Sequence, residues 1–338
     1  MTEWTLGWDR GHIAVRPTGA MMAPVEIVLD DGRKVFPFKV APWADERFEP
    51  PVGPLLQGLR GDWTCLPFGL PGKPRTDLLE DWMNGVDRDL ASPDAYGHGA
   101  VANEPWVLDS CSPDHLACHF DFPDTMPIER VSRAIHVLPG EAMISVVVEI
   151  TARRSCEMPW GLHPTFALPE EPGSFEIGFE GPVRVFTYPG VFEKGVSRAA
   201  HGKVLPGLDA VPMLDGSTLS FSRLPLDRDA EELLIAADHG GRVILTNHAE
   251  RYRTILDWDA AVLPGLLLWV SNRGRKFAPW NGRFLGLGVE PISAAFDLGY
   301  AHGLNPASPL RAAGVGTATR FEPGTPLKTS YSFRFEAI

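Results

Sequence analysis

The sequence has few basic residues for its acidic content, with 31 lysines and arginines against 43 aspartates and glutamates and a formal charge of −12. Such a chain repels a phosphate backbone and offers no basic stripe to bind one. Long apolar runs are also missing. The strongest, AAVLPGLLLWV at 260–270, is far shorter than the roughly 20 residues of a membrane-spanning helix. We therefore expect neither nucleic acid nor a membrane as a partner.

Cysteine is scarce, and its spacing indicates neither a disulfide framework nor a zinc site. Cys65, Cys111, Cys118 and Cys156 lie far apart except for the middle two. The stretch MTEWTLGWDRGHIAVRP has no basic segment followed by an apolar one, which is the pattern of an export signal. We expect a reduced protein in the cytoplasm.

Motifs of several enzyme classes are missing. GLRGDW at 58–63 and NRGRKF at 272–277 lack the glycine spacing and the following helix of a phosphate loop, and no G-x-S-x-G elbow is present. HLACH at 115–119 places two histidines as on a zinc-binding helix, but Leu116 stands where zincins have glutamate. The surrounding DHLACHFDF alternates apolar and polar residues, which favours an amphipathic strand, with a metal site as the alternative.

Strand signals recur along the chain, whereas helical periodicity is rare. VEIVLDDGRKVFPF at 25–38 and ELLIAADHGGRVILTN at 232–247 each place two β-rich runs around a turn pair, Asp-Gly or Gly-Gly, and predict hairpins. SYSFRFEAI at 330–338 predicts a strand with one buried face, and MISVVVEI at 143–150 predicts one buried on both faces. The only helix that we predict is a short one at 77–85.

Turn residues are spread through the whole chain, with 34 glycines and 32 prolines and no fixed-period repeat. This distribution is typical of many strands joined by turns, and it argues against a propeller or solenoid. Two large sheets around one core account for the length. We predict an all-β, two-layer sandwich.

Four tracts, in order along the chain, resemble one family. LRGDWTCLPFG (59–69) and YGHGAVANEPW (96–106) are similar to patterns of the aldose 1-epimerase (galactose mutarotase-like) superfamily, nearest the hexose-6-phosphate 1-epimerase-like branch. The tract at 130–166, which ends in GLHPTF, resembles a strand pair ending in L-H-x-Y-F. RFLGLGVEPIS (283–293) resembles the C-terminal strand that ends in V-E-P or V-E-T.

The resemblance implies one mutarotase-like β-supersandwich domain over residues 1–338, with a sugar-binding cleft on a concave sheet. It implies that His163 is the general acid, Glu290 the general base and His98 a sugar ligand. It also implies that Arg60 contacts substrate hydroxyls or phosphate.

The chemistry of anomer interconversion explains these residue types. Opening a cyclic hemiacetal requires a base for the anomeric hydroxyl and an acid for the ring oxygen, and we expect the two groups on opposite sides of the pyranose. Each is typically worth roughly 10² to 10⁴ in rate, so neither metal nor cofactor is needed. Glu290 is the only charge in an apolar, glycine-rich strand; its structural alternative is an ion pair with Arg60 or Arg273.

The sequence signals for further sugar contacts are weaker. Asp227 lies roughly where mutarotases have a D-R-x-Y aspartate, although the tyrosine is absent here and a solvated acidic loop is the alternative. Trp280 and Trp269 are candidates to stack on a sugar face, or else to belong to the core.

Three positions depart from the family pattern. Ala102 replaces an arginine of the phosphosugar branch, Thr165 a tyrosine and Ala167 an asparagine. With the negative charge, these changes favour a neutral hexose or an unusual sugar over a phosphosugar.

We therefore predict an aldose 1-epimerase-like isomerase that acts on a small sugar. One alternative is a non-catalytic carbohydrate-binding or sugar-sensing protein on the same fold. Another is a polysaccharide lyase or a different sugar isomerase. Lyases usually need a tyrosine base and an arginine-rich cleft, so the five tyrosines and the charge of −12 disfavour that alternative.

Overall fold

A computed structural model describes residues 2–338, and strands dominate it. Strands account for 43% of the residues and helices for 7%, which confirms the predicted all-β class. No helix within the described residues is long and apolar enough to cross a membrane.

Strands and short helices follow one another along the chain. The strands up to residue 167 are β1 (Trp4–Trp8), β2 (Gly11–Arg16), β3 (Met21–Val28), β4 (Lys34–Val35), β5 (Thr64–Cys65), β6 (Val107–Cys111), β7 (His115–Asp121), β8 (Ile128–Val137), β9 (Met143–Ala152), β10 (Cys156–Met158), β11 (Trp160–Leu162) and β12 (Thr165–Ala167). The later strands are β13 (Phe175–Gly178), β14 (Arg184–Thr187), β15 (Val204–Leu205), β16 (Val211–Pro212), β17 (Thr218–Leu219), β18 (Arg223–Leu224), β19 (Ala230–Ala237), β20 (Arg242–Asn247), β21 (Tyr252–Trp258), β22 (Gly265–Asn272), β23 (Leu285–Ser293), β24 (Thr319–Phe321) and β25 (Leu327–Ala337). The helices are α1 (Pro54–Gly58), α2 (Glu80–Met83), α3 (Ala100–Asn103), α4 (Tyr300–Leu304) and α5 (Pro309–Ala312).

Two large antiparallel sheets pack against each other. The central sheet has the strand order β15-β14-β19-β22-β23-β11-β5, and β12 also pairs with β23. The outer sheet has the order β18-β13-β20-β21-β25-β9-β8-β7-β6. A smaller sheet of β1 to β4 lies at the N-terminal end of the chain. This arrangement confirms the predicted two-layer sandwich.

The central sheet is buried on both of its faces. Leu266 and Leu268 of β22 belong to the core shared with the outer sheet, together with Val148 of β9. Leu267 and Trp269, which alternate with them, belong to a second core beneath the loops before β5 and after β23. Because successive side chains of a strand point to opposite faces, a doubly covered strand needs a continuous apolar run. The sequence of β22, GLLLWVSN, has this form.

Two of the strand predictions need correction. The Gly-Gly pair at 240–241 does not close a hairpin, because β19 before it lies in the central sheet and β20 after it lies in the outer sheet. Strand β9 is not buried on both faces. Ile144 and Val146 face the core, but the residues that alternate with them are only half-buried, because one layer alone covers the outer sheet.

Several local predictions are confirmed. β3 and β4 pair around Gly32, whose φ of 83° suits the Asp-Gly turn. β7 alternates buried and half-buried residues, as expected for the amphipathic strand, and β25 has one buried face. The predicted helix at 77–85 is shorter than expected, since only α2 forms there. All four cysteines are free.

A buried ion pair ties the outer sheet to the tract that leads into β5. Asp62 and Arg133 are 0% and 1% exposed and form a hydrogen-bonded pair. Arg133 Nη1 also donates to the carbonyl oxygens of Ala20 at 2.7 Å and Asp62 at 3.0 Å. The Tyr331 hydroxyl donates to Asp62 Oδ2 at 2.7 Å. Since β8 and β25 carry Arg133 and Tyr331, the outer sheet holds this tract in place.

Removing one partner of this ion pair is expected to destabilise the protein strongly. Asp62→Asn and Arg133→Met each leave a buried charge uncompensated and should lower the free energy of unfolding by roughly 3–5 kcal/mol. The control Arg253→Met, which breaks an exposed pair with Glu336, should change it by less than about 1 kcal/mol. Urea unfolding followed by circular dichroism measures both. Equally small effects at the two sites would contradict the expectation.

Candidate active site

A cavity of about 220 Å³ lies on the face of the central sheet that is turned away from the outer sheet. Its floor includes Glu290 and His163, which are 1% and 5% exposed. Its rim includes the half-buried Leu55 and Leu56 of α1 and the exposed Leu70, so the cavity reaches solvent. The remaining lining residues are Leu59, Trp63, His98, Phe192, Leu233, Leu267, Trp269, Arg275, Trp280 and Asp297.

His163 is held by the segment around β5. It follows β11, and its backbone N–H donates to the Trp63 carbonyl at 2.8 Å. The imidazole stacks on the Trp63 indole, with 4.0 Å between ring centroids and an interplanar angle of 16°. Its Nδ1 lies 3.2 Å from Thr165 Oγ1, which leaves Nε2 directed at the neighbouring carboxyl group. These contacts set the orientation of the ring.

Glu290 is the neighbour of His163. It lies in β23 opposite Leu267, and its Oε1 is 3.4 Å from His163 Nε2. Neither carboxyl oxygen has a hydrogen-bond partner among residues 2–338. The expected placement of the two groups on opposite sides of a pyranose is therefore wrong, because they are adjacent on one wall of the cavity.

A glycine of β23 makes room for the carboxyl group. Gly286 and Gly288 share a face with Glu290, so no side chain fills that face before it. A Cβ on Gly288 would overlap Glu290 Oε1 and lie 3.0 Å from Trp269 Cβ. The position of the carboxyl group therefore requires glycine at 288, whereas a Cβ on Gly286 would instead lie 2.9 Å from the Phe284 ring.

Burial dominates the electrostatics of the pair. Desolvation, with a smaller contribution from the nearby Asp297, raises the pKa of Glu290 well above its ordinary value. Desolvation, with a smaller contribution from His98, lowers the pKa of His163 well below its ordinary value. Both shifts favour the neutral forms. These directions favour one proton on the pair, carried by the carboxyl group beside a neutral imidazole.

His98 reaches the same cavity. Its ring centroid is 5.3 Å from that of His163, and it packs edge-on against Phe68. Its backbone has a φ of 59°, and a Cβ on the following Gly99 would overlap the Leu66 carbonyl, which explains the glycine at position 99. Burial lowers the pKa of His98 to about 4, so the ring is neutral at pH 7. Its Nδ1 has no hydrogen-bond partner among the described residues.

The comparison with known proteins rests on structure alone. No protein-family profile and no curated protein sequence matches the chain. Among solved structures, it is similar to a candidate aldose 1-epimerase from Escherichia coli K12, with a TM-score of 0.65 and 17% identity over 100% of this chain and 99% of the other. The chain has the galactose mutarotase-like fold.

Two further structures share this galactose mutarotase-like fold. A galactose mutarotase related enzyme from Lactobacillus acidophilus aligns with a TM-score of 0.62 and 12% identity, over 99% of this chain and 98% of the other. A GalM/aldose epimerase homologue from C. elegans aligns with a TM-score of 0.63 and 10% identity, over 100% and 99%. The resemblance of the four sequence tracts is thereby confirmed at the level of the fold.

Two predicted sugar contacts lie away from the cavity of this galactose mutarotase-like sandwich. Arg60 Nη1 pairs with Glu3 Oε1 at 2.8 Å, and its Nε donates to the Gly58 carbonyl at 3.0 Å, so its guanidinium is directed elsewhere. Asp227 has a side chain that is 77% exposed, and it lines a separate surface depression with Arg228. Both substrate-contact predictions need correction, because neither side chain lines the cavity.

The two predicted tryptophans do line the cavity. The ring centroid of Trp269 lies 6.0 Å from that of His163 and 6.0 Å from that of Trp280. Trp280 packs against Trp43 with 4.7 Å between centroids. The tryptophans therefore form a continuous aromatic wall that starts at the histidine.

Two charged residues of the cavity were missed by the sequence analysis. Asp297 is half-buried, and its Oδ1 has no hydrogen-bond partner among residues 2–338. It lies seven positions after Glu290, in the apolar stretch SAAFDLG. A lone charge in an apolar run was the signal available for Glu290 and Asp297 alike. Arg275 lies in NRGRKF, which was considered only as a phosphate loop. Within the part of the chain that the structure describes, no cluster of His, Cys, Asp or Glu has the arrangement of a metal site.

Adding one methyl group at Gly288 should displace the Glu290 carboxyl without unfolding the protein. The overlap involves the far end of a flexible side chain, so Gly288→Ala should keep the fold and lower any sugar-directed activity about 10²-fold, the size of effect that a 1 Å misplacement can have. The control is Gly178→Ala in β13, where the nearest atom to the new Cβ is the Ile244 carbonyl oxygen at 3.6 Å. Anomer exchange by NMR, with circular dichroism for folding, measures both variants. Equal activity in the two would contradict this role of Gly288.

Proposed function

We propose that this protein is an aldose 1-epimerase-like isomerase that interconverts the α and β anomers of a small sugar. The observation that supports this most directly is the contact between His163 and Glu290 at the floor of an open cavity. An acid and a base are adjacent there, both desolvated, and the carboxyl oxygens have no protein partner among the described residues. Titratable groups perturbed in this way, and located in a cleft, are typical of catalytic sites.

The adjacency of the two groups suits the substrate proposed for them. In a hemiacetal, the ring oxygen and the anomeric hydroxyl are bonded to the same carbon, so they too are neighbours. One edge of the sugar, placed against the pair, presents the hydroxyl to Glu290 and the ring oxygen to His163. A general acid and a general base must each be within hydrogen-bond reach of the atom that they serve. Neighbouring groups on one wall meet that requirement in a single binding pose.

The reaction requires two proton transfers, one from the sugar to Glu290 and one from His163 to the sugar. Glu290 as carboxylate takes the proton of the anomeric hydroxyl, the C1–O1 bond becomes a carbonyl, and the bond from C1 to the ring oxygen breaks. The imidazolium of His163 protonates the released oxygen. Rotation about C1–C2 presents the other face of the carbonyl, and the reverse transfers close the ring as the other anomer. No atom is gained or lost, and the pair ends with the proton it began with.

Desolvation affects the free-energy difference between the two protonation arrangements of the pair. Carboxylate beside imidazolium is the arrangement that opens the ring, and carboxylic acid beside imidazole is the one that follows opening. Water stabilises charges, so a solvated pair would favour the charged arrangement. Burial shifts the balance toward the neutral one, through the raised pKa of Glu290 and the lowered pKa of His163. A site of this kind suits a reaction that must run in both directions.

Three neighbours are proposed to bind the sugar. His98 is neutral, lines the cavity and has an unpartnered Nδ1, so it is suited to a hydrogen bond with a hydroxyl. Asp297 offers an unpartnered carboxyl oxygen for another hydroxyl. Trp269 provides an aromatic face for the C–H side of the ring.

Substitution of either member of the pair should abolish most of the activity. Glu290→Gln and His163→Ala each remove one proton-transfer group, and each should lower kcat/KM for anomer exchange by roughly 10² to 10⁴. The matched controls are Glu232→Gln and His239→Ala, two buried residues outside the cavity, which should stay within a few-fold of wild type. Saturation-transfer NMR over a panel of free sugars measures the exchange.

Two results would reject the proposed enzymatic activity. One is no acceleration with any sugar, and the other is full activity in both Glu290→Gln and His163→Ala. A sugar-induced rise in melting temperature without exchange would select a carbohydrate-binding protein instead.

The pH dependence should be a broad bell. The pair is active while it holds one proton. Below the lowered pKa of His163 it gains a second proton, and above the raised pKa of Glu290 it loses the first, so activity falls on both sides. The acid limb should therefore lie below 6.5 and the alkaline limb above 4.5, the ordinary values of the two groups. A kcat/KM profile of the free enzyme tests this. An acid limb at the ordinary histidine value would contradict it.

A further inference from the structure

The backbone of His98 has a conformation that the surrounding chain must hold. Its φ of 59° lies in the left-handed region, which non-glycine residues rarely adopt and which persists where neighbouring groups fix it. The His98 N–H donates to the Gly69 carbonyl at 2.8 Å, and its carbonyl accepts the Leu66 N–H at 3.3 Å. The imidazole has less support, because its Nδ1 has no hydrogen-bond partner among the described residues. The location of the ring therefore depends on the backbone that carries it.

Asn103, the last residue of α3, bonds to the residues on both sides of His98. Its Nδ2 donates to the Gly97 carbonyl and to the Gly99 carbonyl, each at 2.9 Å. Asn103 is only 7% exposed, so these bonds are shielded from water that would compete for the amide. Gly97 precedes His98 and Gly99 follows it. One amide group thus fixes the chain before and after the left-handed residue.

The same side chain contacts the rim of the cavity. Asn103 Oδ1 accepts the backbone N–H of Leu55 in α1 at 3.4 Å. Leu55 and His98 both line the cavity, whereas Asn103 does not. The amide uses both of its donor hydrogens and its oxygen within the protein. It therefore connects the tract that carries His98 to the helix at the rim.

A second buried side chain, Asp94, supports the ends of the tract rather than its centre. Its Oδ1 accepts the Tyr96 N–H at 2.9 Å, and its Oδ2 accepts the Ala100 N–H at 2.7 Å. These bonds fix the turn before His98 and the start of α3. Only Asn103 of the two bonds directly to the residues adjacent to His98.

We infer that Asn103 is a positioning residue, which holds the His98 imidazole where it meets a hydroxyl of the bound sugar. This inference rests on the proposed function, in which His98 binds the sugar. Asn103 lies outside the cavity and acts through His98 alone. Loss of its amide leaves two buried carbonyls without their donor and releases the chain on both sides of the left-handed residue.

The matched control for this role is Asn272, the last residue of β22. It is also buried, and its amide likewise makes three hydrogen bonds to backbone groups of a loop. Its Nδ2 donates to the carbonyls of Leu226 and Arg228, and its Oδ1 accepts the Leu226 N–H at 3.2 Å. Asn272 does not line the cavity. Asn272→Ala therefore removes the same chemistry from a place that has no contact with His98.

The first measurement follows the position of the imidazole directly. The protein is labelled with ¹³C at the histidine Cε1 atoms, and the His98 signal is assigned by its loss in His98→Gln. In Asn103→Ala this signal should shift or split, because the ring samples new surroundings. In Asn272→Ala it should stay at its wild-type position. An unchanged His98 signal in Asn103→Ala would overturn the inference.

The second measurement is a double-mutant cycle on anomer exchange. Asn103→Ala should raise KM roughly 3- to 10-fold with little change in kcat, as for the loss of one hydrogen bond made equally to substrate and transition state. In a His98→Ala background the same substitution should change KM by less than about 2-fold, since its only route to the sugar is gone. A full additional effect in that background would also overturn the inference. Asn272→Ala should leave KM unchanged in both backgrounds.

A second variant covers the case in which Asn103→Ala does not fold, as judged by circular dichroism. Asn103→Asp keeps the size of the side chain and an acceptor for the Leu55 N–H, and it removes the amide that donates to the two carbonyls. It should shift the His98 signal and raise KM in the same way. An unchanged signal in this variant would contradict the role of the amide.

The two proposals fail in different ways. Absence of anomer exchange with every sugar rejects the isomerase, whereas the labelled-histidine spectra still decide whether Asn103 positions His98. Exchange that persists with an unchanged His98 signal in Asn103→Ala and Asn103→Asp keeps the isomerase and rejects the positioning role.

Discussion

The central sheet must be apolar on both faces, and the rest of the molecule depends on this constraint. β22 meets it with leucines on either side, packed against the outer sheet below and the loop-covered core above. β23 departs from it on one face only, where Gly286, Gly288 and Glu290 follow one another. Glycine removes side-chain volume, and glutamate adds a carboxyl group where an apolar side chain would pack. The Glu290 carboxyl group at the floor of the cavity occupies the space that Gly288 leaves.

The pair at the floor of the cavity is unfavourable for the folded state and is held by its surroundings. Burying a carboxyl group with no hydrogen-bond partner costs stability, as does burying an imidazole that cannot take a proton. Trp63 orients the imidazole by stacking, and the preceding Asp62 is anchored to the outer sheet through Arg133. A local cost at a reactive site is thus offset by packing and ion pairing elsewhere, as is common at functional sites.

Much of the fold and part of the site could be predicted from the sequence. The alternation of SYSFRFEAI is a local signal, and it predicted the strand with one buried face correctly. The lone charge of Glu290 is also a local signal, and Glu290 lines the same cavity as His163. The pairing of Arg60 with Glu3 joins residues 57 positions apart, which no local pattern reports. The wall leucines could not be identified, because a leucine that lines a cavity and one that fills a core have the same pattern. A Gly-Gly pair can close a hairpin or can connect strands of two different sheets. The sequence therefore did not determine which sheet the chain enters after β19.

The chain crosses repeatedly between the two large sheets, and this affects how the sandwich assembles. β13 is in the outer sheet and β14 in the central one, β19 is central and β20 outer, and β21 is outer and β22 central. Neither sheet comes from a continuous segment, so no single cut in the chain yields one sheet with all its strands. Loop closure must therefore precede most of the hydrophobic gain. This interleaved topology favours slow folding, because strands that are distant along the chain must pair before the core is buried.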